Sequence, residues 1–178
     1  SGEFPTSQLN RLPASPYYLE AVVTALKKAG LLRTYYRDRL RGYRLGIKAK
    51  SALLDGWPER FTFCLTGDAE TNRLKSEANR RFRLHRLAET YITMGNAGVL
   101  LYPDEKPKVF AQTGFGGETV TYPAFYSSRE VKELGADATQ IRSSRFAGVL
   151  LVPTGIFVTY NSGSALMKWR YKSELRVK

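Results

Sequence analysis

Pro13-Ala14-Ser15-Pro16 divides the N-terminal stretch in two, because a proline inside a helix removes a hydrogen bond and clashes with the preceding turn. Ahead of the break, Thr6 to Leu12 reads as a short helix, with Thr6 as N-cap and Leu9 and Leu12 three residues apart. Behind it, Ser15 is a good N-cap and Pro16 suits the first helical position. Leu19, Val22, Val23 and Leu26 then form the apolar stripe of an amphipathic helix. Lys27 and Lys28 complement its last turn, and Gly30 can terminate it.

Aromatic and apolar segments follow at Leu31 to Tyr36 and Tyr43 to Ile47, around a polar turn from Arg37 to Gly42. They read as a β-hairpin. Lys48 to Leu54 suggests a short helix, and Asp55-Gly56-Trp57-Pro58 a boundary. Helix, break, helix, hairpin is the order of a winged helix-turn-helix without its first helix. The chain is therefore expected to begin within the domain or to receive the missing packing from a partner. Ser1-Gly2-Glu3-Phe4 is open to reading as a recombinant scar.

A strand is expected at Phe61 to Leu65, and Asp68 can cap a long helix from about Ala69 to Met94, ended by Gly95-Asn96. Leu74, Ala78, Phe82, His85, Ala88 and Ile92 share one face, with Lys75, Arg80, Arg83 and Arg86 opposite. Arg81 breaks the pattern by falling on the apolar side. Further strands are expected at Ala97 to Tyr102, Ala147 to Val152 and Ile156 to Tyr160, the last two joined through Pro153-Thr154-Gly155. Ser127 caps a helix through Leu134, and Ser164 to Leu175 closes the chain as another. The fold expected is α+β: a winged-helix DNA-binding domain over 1–56, a connecting strand and long basic helix over 57–95, and a small α/β domain over 96–178.

Charge narrows the function. Lys and Arg total 28 against 16 Asp and Glu, a formal net charge of +12. Such a surplus steers polyanions to the protein and favours them by counterion release. The apolar runs are far shorter than the roughly 20 residues of a membrane helix, and no secretory leader is read at the start, so a soluble cytoplasmic protein is expected. The lone Cys64 and lone His85 cannot build a disulfide framework or a zinc cluster, and no metal or cofactor is expected. Cys64 reads as a small core residue.

The DNA-facing set follows from the motif. The second helix of such a motif enters the major groove with its N-terminal end nearest the bases, which brings forward Ser15, Tyr17, Tyr18 and Glu20. Lys27 and Lys28, at the other end of the helix, also belong to the expected DNA-binding set. On the hairpin Arg33, Arg37, Arg39, Arg41 and Arg44 stand among Tyr35, Tyr36 and Tyr43, opposed only by Asp38. They suit contact with phosphates and with a narrow minor groove. The bland alternative is a solvated hairpin kept soluble by its arginines.

Other chemistry is weaker. Glu130-Val131-Lys132, with Pro103-Asp104, matches a Mg²⁺-dependent PD-(D/E)xK nuclease in outline. Yet Ser127-Ser128-Arg129-Glu130 is also a capping box, which would put the triplet on a helix start, and Asp104 reads as a turn residue. His85 reads as a core or hydrogen-bonded histidine. Gly114-Phe115-Gly116-Gly117 lacks the Lys-Ser/Thr of a phosphate loop and reads as a loop. A ligand-sensing repressor is the remaining rival, with RNA binding behind it.

Leu26-Lys27-Lys28-Ala29-Gly30-Leu31-Leu32, the hairpin end Gly42-Tyr43-Arg44-Leu45 and the basic segment Arg80-Arg81-Phe82-Arg83-Leu84-His85-Arg86-Leu87 together resemble the winged-helix replication-relaxation family of bacterial plasmids and conjugative elements. The resemblance covers the first half clearly and the second half weakly, through motifs of small, apolar and basic residues. It implies an accessory or regulatory DNA binder in plasmid replication or conjugative DNA processing, with a relaxase or replication protein as partner. It brings no catalytic residues. Dimerisation or partner contact is expected of the α/β domain.

Overall fold

A computed structural model describes residues 2–66, 77–107, 121–133 and 146–163. The chain is mixed α+β with two small antiparallel sheets, and divides into compact units Ser1–Ile92 and Thr93–Lys178. The Asp68 cap, Leu74, Lys75, the Gly114 to Gly117 loop and the Ser164 to Leu175 helix lie outside the described residues.

The first unit opens with strand β1 (Phe4–Pro5), a 3-10 turn (Thr6–Arg11) and helix α1 (Pro16–Lys28). Ser15 Oγ accepts the Tyr18 amide at 3.3 Å, the N-cap bond expected of that residue. At the other end Gly30 adopts φ +70°. The Leu31 amide then donates to the Leu26 carbonyl and the Gly30 amide to that of Lys27, which closes the helix in a Schellman motif. Leu19 and Val23 are the buried part of the stripe.

Strands β2 (Leu32–Arg37) and β3 (Leu40–Leu45) form the hairpin, and β1 adds to the far side of β3, giving the order β1-β3-β2. The turn is shorter than the sequence suggests. Arg37 pairs with Leu40, so only Asp38 and Arg39 are unpaired, at φ 53° and 59°. Left-handed backbone at both central positions is the type I′ signature that fits the twist of a tight hairpin. Gly42 is thus a strand residue opposite Tyr35 and Pro5.

Helices α2 (Ile47–Gly56) and α3 (Pro58–Leu65) follow. The second corrects the strand expected at Phe61 to Leu65. Pro58 at the first helical position starts a helix there, and local β-propensity does not override it. Helix α4 (Ala78–Asn96) buries Arg81, Ala88, Thr90 and Ile92, and Gly98 at φ +74° terminates it with a second Schellman pair.

In the second unit, 97–102 does not form the expected strand. It makes one parallel bridge, Leu100 to Ala124. The sheet instead takes β4 (Ala124–Ser127), β5 (Phe146–Val152) and β6 (Gly155–Tyr160) in that order. Every residue of β4 is buried, and Ala124, Tyr126 and Leu151 form a core joined by Leu100 and Val131. Helix α5 (Ser128–Glu133) starts with the expected capping box: the Ser127 amide donates to Glu130 Oε2 at 2.7 Å, and the Glu130 amide to Ser127 Oγ at 3.4 Å.

Candidate nucleic-acid interface

Residues directly opposite in an antiparallel pair share a face. Arg33 with Arg44, Tyr35 with Gly42 and Arg37 with Leu40 therefore line one face of the hairpin. Thr34 with Tyr43 and Tyr36 with Arg41 line the other. The arginines of the hairpin accordingly have different fates.

Arg44 is withdrawn from the DNA-facing set. It is 4% exposed, its Nε donates to Glu3 Oε2 at 2.7 Å, and its guanidinium lies 3.8 Å from the centre of the Tyr35 ring. Arg44 Nη2 is also 2.7 Å from Glu3 Oε2, an ion-pair distance, but out of line for a hydrogen bond. Glu3 itself is 1% exposed. It is the centre of a buried ionic cluster.

The cluster is completed from α4. Arg81, with no solvent exposure, donates from Nη2 to Glu3 Oε1 at 2.6 Å and from Nε to Oε2 at 3.1 Å. It also donates to the carbonyls of Arg37 at 2.5 Å and Leu40 at 3.0 Å, the residues that flank the hairpin turn. Its guanidinium stands 4.6 Å from the Tyr35 ring, so that Tyr35 packs against both arginines. One turn on, His85 Nε2 lies 2.7 Å from Glu3 Oε1. An ionised carboxylate can only accept, so the proton is on Nε2. Arg81 and His85 reach one carboxylate because residues four apart share a helix face.

Burial alone would raise the pKa of Glu3. Hydrogen bonds from Arg81, His85 and Arg44, with the charge of Arg44, instead hold it below the ordinary carboxylate value. The missing Cβ of Gly42 makes room for this group: a Cβ there would lie 2.7 Å from Glu3 Cδ. Sequence reasoning missed both residues. The signal available was Arg81 on the apolar side of its helix, since a buried guanidinium requires a buried acid.

The remaining basic residues of the expected DNA-binding set, Lys27 apart, stay at the surface. Arg33, Arg37, Arg39, Arg41 and Lys28 are exposed. Arg37 Nε is 3.7 Å from the Asp38 carboxylate, an exposed pair that holds it only weakly. Among the described residues Arg33, Arg39 and Arg41 make no ion pair. Lys27 is half-buried, with Nζ 4.9 Å above the centre of the Tyr43 ring. At the start of α1, Ser15 is exposed and engaged in its cap, while Tyr17 and Tyr18 are 85% and 60% exposed.

The nuclease motif does not assemble among the described side chains. Glu130 lies on α5, not on a strand, and its carboxylate binds the Ser127 amide and the buried Lys106 ammonium. Lys106 also donates to the Phe125 carbonyl at 2.8 Å, and Asp104 lies in a turn. Among the described residues no group of three or more His, Cys, Asp or Glu could hold a metal ion, and no helix is long and apolar enough to cross a membrane. Cys64 is half-buried on α3.

Comparison of the chain with protein-family models, with curated proteins and with solved structures finds no match.

Proposed function

We propose that the first unit is a winged helix that binds double-stranded DNA, with α1 as the groove-facing helix and the β2–β3 hairpin as the wing. The observation that carries this reading is the set Arg33, Arg39 and Arg41, exposed and without an ion pair among the described residues on one hairpin, while Glu3, the acid that holds Arg44 and Arg81, is buried. Three further features support it. The strand order β1-β3-β2, with the 3-10 turn and α1 between β1 and β2, suits the motif. Large exposed aromatics stand at the start of α1, where groove contacts are made. The net charge of +12 favours a polyanion.

The resemblance to the replication-relaxation family extends the reading to an accessory or regulatory role in plasmid replication or conjugative DNA processing in the cytoplasm, beside a relaxase or replication protein. The first test is titration of the chain against labelled duplex DNA, with duplex RNA as competitor. Binding to DNA that weakens with salt and resists RNA is the expected result. Absence of duplex binding, or preference for RNA, contradicts the proposal.

A further inference from the structure

We propose that Arg39 at the hairpin tip selects A·T-rich duplex by entering its minor groove, an inference that rests on the DNA-binding reading above. Arg39 occupies the second central position of a two-residue turn at φ 59°, a conformation in which glycine or asparagine is the less strained choice. A long cation therefore stands at the narrowest point of the hairpin, at a conformational cost. The adjacent Asp38 carboxylate lies against Arg37, and Arg39 has no ion pair among the described residues. The minor groove narrows and gains negative potential in A·T tracts, where a single inserted arginine is favoured. In G·C pairs the guanine 2-amino group projects into that groove.

Helix α1 points the same way. From Ser15 to Leu26 it carries no Arg, Lys, Asn or Gln, the side chains that read guanine or adenine edges bidentately. The N-terminal part of the helix thus lacks a bidentate reader of guanine N7 and O6, and its two cations, Lys27 and Lys28, stand in the last turn. The discrimination proposed for Arg39 uses the groove in which A·T and G·C differ chiefly by one amino group.

The test uses the whole chain and four short duplexes matched in length and salt: A·T tract, G·C, inosine·C and 2,6-diaminopurine·T. Inosine removes the minor-groove amino group from a G·C-like pair, and diaminopurine adds it to an A·T-like pair. A·T and inosine·C should bind alike, with the other two weaker by on the order of tenfold. Arg39→Ala should level the four. Arg39→Lys, which keeps the charge but is more strongly hydrated, should retain most affinity and lose most discrimination. Diaminopurine·T binding like A·T, or discrimination surviving Arg39→Ala, overturns the assignment. Equal binding to all four overturns it while leaving the DNA reading intact, and binding to none overturns both.

Discussion

Arg81 and Glu3 are joined by a buried ion pair, Nη2 to Oε1 at 2.6 Å, across 78 residues of sequence. The same guanidinium donates to the carbonyls of Arg37 and Leu40, so one side chain ties the segment leading into β1, the hairpin turn and α4 together. Removing the acid leaves Arg44 and Arg81 buried without their counter-charge. Glu3→Ala should therefore destabilise the first unit by about 3–5 kcal/mol in chemical denaturation. A loss below about 1 kcal/mol would mean that the cluster contributes little.

The same carboxyl sets an acid limit. Its pKa is lowered in the folded chain from an ordinary value near 4.5, so its stabilisation is complete above that value. It is lost as pH falls from about 4.5 through the lower folded pKa. Unfolding free energy of the native chain should drop over that window, and that of Glu3→Gln should drop less. Parallel pH profiles for the two proteins would contradict the direction assigned to Glu3.

Gly42→Ala tests the space beside Glu3. With the new Cβ 2.7 Å from Glu3 Cδ, the carboxylate or the strand must shift, and a loss of about 1–3 kcal/mol is expected. Gly56→Ala is the control, because nothing lies within 4 Å of a Cβ there. It should be neutral or slightly stabilising at the end of α2. Equal melting temperatures for the two variants would show that the site has slack.

Arg39→Gly should separate stability from binding. Glycine relieves the left-handed strain at the turn, a gain of about 0.5–1 kcal/mol that thermal melting can register. The same change should weaken DNA binding. A variant that melts lower, or binds as well as the native chain, would contradict the role given to this position.

Local signals in the sequence carried much of the architecture. Ser15-Pro16 and Gly30 marked both ends of α1, and Ser127 with Glu130 marked the start of α5, because capping is decided within a few residues. Gly42 misled for a physical reason. Glycine suits turns, but here it was needed for the close approach of a side chain distant in sequence. Phe61-Thr62-Phe63-Cys64 has strand-like composition, yet Pro58 starts a helix through it. Ala124 to Ser127, buried on both faces, has no period-two alternation to reveal it. The surface arginines were legible as a cluster, but the removal of Arg44 was not, because it depends on Glu3 and Arg81 folding to the same point.

The most direct measurement is the salt dependence of duplex DNA affinity for the native chain and for the Arg33→Ala, Arg39→Ala, Arg41→Ala triple variant. Affinity should fall, and the slope of log K against log salt should flatten by on the order of one unit for each phosphate that the hairpin no longer neutralises. An unchanged affinity and slope, in a variant that melts like the native chain, would take the hairpin out of the binding surface.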